Sequence, residues 1–147
     1  MRTIALDSSA VVAWITQSHP WQQIQQLMDR PDVDIVLPGP TLTESIYIAR
    51  QRGNVTAAPQ IAATLATEGC RIELSAVADL VRAAQLHEIS QLDPGLHART
   101  GQPCTLSLGD ALILAVVERV GCPVVTRDRY WADFARGGHT TATVQLA

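Results

Sequence analysis

Four carboxylates spread along 147 residues, Asp7, Glu44, Asp110 and Asp128, stand where acids could do chemistry as well as carry charge. Asp7 follows the apolar run Thr3-Ile4-Ala5-Leu6, and Asp128 comes just after Val124-Val125-Thr126. In a parallel sheet both would project from the same edge. Glu44 in T-L-T-E and Asp110 in S-L-G-D each read as first-turn residues of helices whose starts gather at that edge. Four acids meeting in one cleft repel and raise one another's pKa unless a cation sits between them, so the constellation predicts a hard divalent metal. Mg²⁺ or Mn²⁺ held by carboxylates lowers the pKa of a water, aims the resulting hydroxide at a phosphate and neutralises the leaving oxygen. That is the chemistry of phosphodiester hydrolysis. Each acid also has a plain structural role: Asp7 and Asp128 as helix N-caps, Glu44 and Asp110 as the third helical residue of a capping box. The combination, not any one acid, points to a site.

The bulk composition leaves room for that chemistry but does not advertise it. A net charge of -3 and a pI near 5.7 give no overall basic footprint for nucleic acid, so any polyanion must be held locally. A metal-filled carboxylate site attracts phosphate even on a mildly acidic protein. All 11 basic residues are Arg and none is Lys. The missing Lys excludes a phosphate loop of the Walker type and argues against phosphoaspartate chemistry at Asp7. Arg127, Arg129 and Arg99 are the candidates to brace a phosphate backbone.

Other sites find less support. His19, His87, His97 and His139 lack metal-ligand spacing. Cys70, Cys104 and Cys122 form neither a C-x-x-C pair nor an even disulfide set, which fits a reducing cytoplasm. Ser107 lacks the G-x-S-x-G elbow of a nucleophilic serine, and Gly39 lacks the G-x-G-x-x-G run of a dinucleotide site. The large aromatics at helical spacing read as core or interface residues. The longest apolar run, Ala111 to Val117, is far short of the roughly 18 residues of a membrane span, and no charged-then-apolar leader opens the chain, so a soluble protein with no membrane contact is expected.

The elements that must position the acids follow from periodicity. Strands are expected at 3–6, 34–37, 71–74, 123–126 and 143–146, and helices lie between them. Asp7-Ser8-Ser9 caps the first helix; a second runs from Trp21 to Met28. Thr41 opens a third, and Asn54 or Thr56 opens a fourth that Gly69 stops. Ser75 caps a fifth, whose apolar face is read as Val77, Leu80, Val81 and Ala84. Residues 93–106 read as a loop, Ser107 starts an all-round apolar helix that ends at Gly121, and Tyr130, Trp131 and Phe134 ride a last short helix. Strands alternating with helices predict an α/β fold with a parallel sheet of about five strands covered on both faces, as one domain over residues 1–147.

Taken together, D-S-S at the end of the first strand, T-L-T-E, S-L-G-D-A and V-V-T-R-D-R resemble the PIN-domain nucleases, and by length the VapC-like toxins of type II toxin-antitoxin systems. The likeness spans nearly the whole chain. It implies a three-layer α/β/α sandwich and a metal site made by Asp7, Glu44, Asp110 and Asp128, supported by the Thr126 hydroxyl and by Ser8 beside the first acid. It further implies Mg²⁺- or Mn²⁺-dependent cleavage of single-stranded RNA or tRNA in the cytoplasm, a homodimer, and a small antitoxin that occludes the site. The alternative is a catalytically silent PIN-like module that binds RNA or protein, its acids serving only as caps. The 93–106 loop matches no motif of the family, and Asp133 is a possible fifth acid.

Overall fold

The computed structural model describes residues 1–147. Strand β1 (Arg2–Leu6) lies at the centre of a five-stranded sheet, between β2 (Val33–Pro38) and β6 (Val124–Thr126); β3 (Arg71–Glu73) and β7 (Val144–Leu146) form the edges. Every pairing is parallel, with Ala5 opposite Val36 on one side and Val124 on the other. The chain first steps outward from β1 to β2 and β3, then returns to lay β6 on the other flank of β1. The direction of winding therefore reverses between β1 and β6, the place where open α/β sheets bind ligands beyond their strand ends.

Helices cover both faces, which gives the three-layer α/β/α arrangement. Ile4 and Leu6 of β1 face α1 (Ser8–Ile15), α2 (Trp21–Met28) and α4 (Ala58–Thr67), where they pack with Val11, Ile24, Ile61 and Leu65. Ala5, between them, faces the opposite layer of α5 (Val77–Leu92), α6 (Leu108–Val120) and α7 (Arg129–Arg136). This alternation is the two-residue period of a strand, and a sheet buried on both faces leaves no polar side. Helix α6 is buried over Ala111 and Ile113 through Val117, as its all-round apolar sequence requires, and left-handed Gly121 ends it. Truncating its fully buried Leu114 to Ala would cost roughly 2–5 kcal/mol. No helix is long and apolar enough to cross a membrane, and the three cysteines are free.

Five local expectations are corrected. Helix α3 (Gly39–Gln51) starts at Gly39 with Pro40 in its first turn, not at Thr41. Proline's fixed φ and missing N–H suit that position, and the shift moves Glu44 into the second turn, out of any capping box. The fourth helix starts at Ala58; Asn54 instead accepts the Thr56 N–H at 3.1 Å, closing a turn before it. Helix α5 is capped at Ala76, whose N–H donates to Asp79 at 2.7 Å, not at Ser75.

The face of α5 is also reversed. Val77, Leu80 and Val81 are exposed, and the buried stripe is Asp79, Ala83, Leu86 and Ser90. Two polar residues on the inner stripe hid it from a periodicity reading, and both are satisfied where they lie. Arg119 Nε donates to Asp79 at 2.9 and 3.1 Å, and Ser90 Oγ accepts the Leu106 N–H at 2.6 Å. Lastly, residues 93–106 are not a featureless loop: β4 (Gly95–Leu96) and β5 (Pro103–Cys104) pair as an antiparallel ribbon.

Candidate active site at the strand switch

Asp7 leaves the end of β1 as the N-cap of α1, its Oδ1 accepting the Ala10 N–H at 2.9 Å. The side chain is 1% exposed and takes every bond it can. Ser9 Oγ donates to both oxygens at 2.8 and 3.0 Å, and Thr126 Oγ1, at the end of neighbouring β6, donates to Oδ2 at 2.5 Å. The same two hydroxyls accept from the backbone beyond β6: Ser9 from Arg127 N–H at 2.9 Å and Thr126 from Asp128 N–H at 3.0 Å. Asp7 thus fixes the segment that carries Asp128. Asp128 is in turn the N-cap of α7, its Oδ1 accepting the Tyr130 N–H at 3.0 Å.

Asp110 lies in the first turn of α6 within a capping box. Its N–H donates to Ser107 Oγ at 3.0 Å, and its Oδ2 accepts the Ser107 N–H at 3.2 Å. Glu44 reaches in from the second turn of α3, where Ser8 Oγ donates to its Oε1 at 2.6 Å. Ser8 therefore serves Glu44 directly, and not only as a neighbour of Asp7. One oxygen of each of Glu44, Asp110 and Asp128 takes no bond from the protein, whereas both oxygens of Asp7 are engaged.

The electrostatics tie the four together. Burial pushes Asp7 up to about 6, against the lowering effect of its bonds from Thr126, Ala10 and Ser9, and the charge of Asp128 adds to the rise. Burial pushes Asp110 up to about 7; the Ser107 N–H opposes this, and Glu44, Asp128 and Asp7 all add to it. All four expected acids therefore meet at one end of the sheet. As arranged, no three acidic, histidine or cysteine side chains are close enough to hold a metal ion together. Asp133 is not part of the group: it lies on the exposed face of α7 and pairs with Arg136.

Two residues of the site escaped the sequence reading. Ser9, read only as cap chemistry, links Asp7 to the backbone after β6. Gly109 lies between Ser107 and Asp110, and a β-carbon there would collide with the Glu44 carboxylate. The signal for Gly109 was a glycine inside a helix's first turn, a poor helix former kept for closeness.

No curated protein matches the sequence. Solved structures do. VapBC2 of Rickettsia felis, bound to a promoter DNA fragment, superposes with a TM-score of 0.64 at 15% identity over 98% of each chain. VapC20 of Mycobacterium tuberculosis, a toxin that cleaves the sarcin-ricin loop, gives 0.63 at 20% identity over 92% of this chain and 95% of that one. A toxin-antitoxin complex from Klebsiella pneumoniae gives 0.61 at 18% identity over 97% and 95%. At these identities the likeness is one of fold. The family model for the PIN domain matches residues 4–137, nearly the full length, and the chain belongs to the PIN domain family.

Proposed function

We propose that this protein is a metal-dependent endoribonuclease, the toxin of a toxin-antitoxin pair, with Asp7, Glu44, Asp110 and Asp128 as its metal-binding and catalytic acids. The observation that carries the reading is the convergence of like charge at the strand switch, where Asp7 is buried and Asp110 is raised to about 7 by burial and by the other three acids. Carboxylates gathered in one another's field repel, and a cation between them relieves that repulsion. The donor set is all oxygen, which suits Mg²⁺ or Mn²⁺. Glu44, Asp110 and Asp128 each keep an oxygen unengaged, so side-chain rotation at these three is what closing on an ion would need.

A divalent ion bound there would lower the pKa of a water and offset charge gathering on a phosphate. The chain's own residues supply the frame. Thr126 and Ser9 hold Asp7 ionised and aimed, Ser8 holds Glu44 so that it can help bind the ion or orient the attacking water, and Ser107 fixes the helix turn that carries Asp110. PIN domains as a family are nucleases, and one relative of this fold is an RNA-cleaving toxin. Other relatives are complexes of toxin with antitoxin, which supports a small antitoxin partner here. Single-stranded RNA or tRNA in the cytoplasm is the proposed substrate, and a homodimer the proposed assembly.

The test is a pair of measurements on wild type and Asp7→Asn. Wild type should cut RNA with Mg²⁺ or Mn²⁺, and either ion should raise its melting temperature by binding the folded state only. Asp7→Asn should stay folded and cut nothing. A flat thermal response together with equal, absent cleavage would leave the acids as caps and the protein as a silent binding module.

A further inference from the structure

A cavity of about 670 Å³ lies beside the acids, between the β4–β5 ribbon and α7. Its volume is typical of a site for a small organic group. Leu96, Cys104 and Ala132 supply an apolar lining, and Arg127, Asp128 and Arg129 line one side together. Asp128 therefore belongs both to the acid group and to this cavity, so the two are continuous.

The arginines are available for a ligand. Arg30, Arg71, Arg82, Arg119 and Arg136 are all in ion pairs, but Arg127 and Arg129 are in none. An unpaired guanidinium on each side of an active-site acid suits a phosphate, which it can grip with two parallel bonds. The backbone of Arg127 is also fixed, through its N–H bond to Ser9.

The opposite wall is fastened in place. A β-carbon on Gly95 would stand 2.8 Å from the Tyr130 ring, so the ribbon packs against α7 as closely as glycine allows. Tyr130 Oη donates to the Asp93 carbonyl at 3.1 Å, and His139 Nε2 bonds the Asp93 carboxylate at 2.7 Å. At the ribbon tip, His97 Nδ1 accepts the N–H groups of Arg99 and Thr100. The pinned wall lowers the ordering cost of binding on its side, and the two free arginines are what a ligand would order.

We infer that the cavity between the 95–104 ribbon and α7 is a nucleotide subsite of the RNA strand, flanking the bond to be cut. Arg127 and Arg129 hold its phosphate, and the apolar wall takes its base or ribose. The inference rests on the nuclease reading for its substrate class. It gives residues 93–106 their role, as the wall that selects which nucleotide sits beside the cut.

The test is fluorescence anisotropy with a labelled single-stranded RNA of mixed sequence in EDTA, where metal-dependent cutting cannot consume the probe. Three variants are compared with wild type: Arg127→Ala/Arg129→Ala, Leu96→Glu, which puts a negative charge on the ribbon wall, and Arg52→Ala, an exposed arginine at the far end of α3. The first two should raise Kd about tenfold or more. The arginine pair should also flatten the dependence of log K on log salt by about 0.7 for each phosphate no longer held. Arg52→Ala should bind as wild type does. Binding unchanged in the first two, or weakened equally by Arg52→Ala, would overturn the subsite. Cleavage by wild type in Mg²⁺ or Mn²⁺, assayed separately, judges the nuclease reading, so the two can fail independently.

Discussion

The Glu44 carboxylate occupies the space that any side chain at Gly109 would need: a β-carbon there would overlap Glu44 Oε2. Helices α3 and α6 meet at this point, and the glycine lets an acid from one rest against the first turn of the other. Gly109→Ala sets two effects against each other. Alanine favours the helix by about 1 kcal/mol, while its methyl group must displace the end of a flexible side chain, not backbone. The fold should therefore keep or slightly raise its melting temperature, while cleavage falls by about tenfold or more because Glu44 is moved. In the double variant with Glu44→Ala, the glycine change should cost no further activity. Wild-type kcat in Gly109→Ala would mean that the resting position of Glu44 does not matter.

Much of this site was legible because parallel α/β topology does part of the reasoning. Once 3–6 and 124–126 read as strands, Asp7 and Asp128 had to share an edge. Asp7, Asp110 and Asp128 were also correctly read as capping residues, because short polar side chains beside a helix start leave few other geometries. Glu44 was placed at the right end for a partly wrong reason, since Pro40 let the helix begin two residues earlier. What stayed hidden depends on contacts between distant segments. The inner stripe of α5 became clear only when Arg119, 40 residues after Asp79, was seen to neutralise it. The 95–104 ribbon has two residues per strand, too few for any period to show.

The raised acids set the pH dependence of stability in the absence of metal. Asp7 titrates near 6 and Asp110 near 7 in the fold, against an ordinary 3.8 for both. The folded state thus binds protons more tightly than the unfolded chain, so stability falls as pH rises through the window from about 4 to 7 and levels off above it. Raising a carboxyl pKa by one corresponds to about 1.4 kcal/mol, enough to see in urea denaturation. In EDTA, wild type should be more stable at pH 5 than at pH 7.5, and Asp7→Asn should lose part of that slope. Asparagine keeps an acceptor for the Ala10 N–H and removes the buried charge, so the variant should also gain stability at pH 7.5. Added Mg²⁺ should stabilise wild type mainly at the higher pH, where the acids are ionised. A pH-independent midpoint in EDTA would show that these carboxylates are better solvated than their burial indicates.

The reversed face of α5 bears on assembly. Leu74, Val77, Leu80 and Val81 are 75%, 78%, 49% and 57% exposed and follow one another from the end of β3 into α5. Soluble monomers seldom display apolar residues in so continuous a stretch, and a self-complementary patch is what a two-fold dimer needs. If the protein is a homodimer, this face is the expected contact. Leu80→Asp/Val81→Asp should then shift sedimentation from dimer to monomer at micromolar concentration. The isolated subunit should remain folded, because exposed substitutions typically change stability by only about 0.5 kcal/mol. Leu86→Asp, further along on the inner face, should instead unfold the subunit by burying a charge against α6. A dimer that survives the double substitution undiminished would place its interface elsewhere, and a wild type that sediments as a monomer would remove the homodimer altogether.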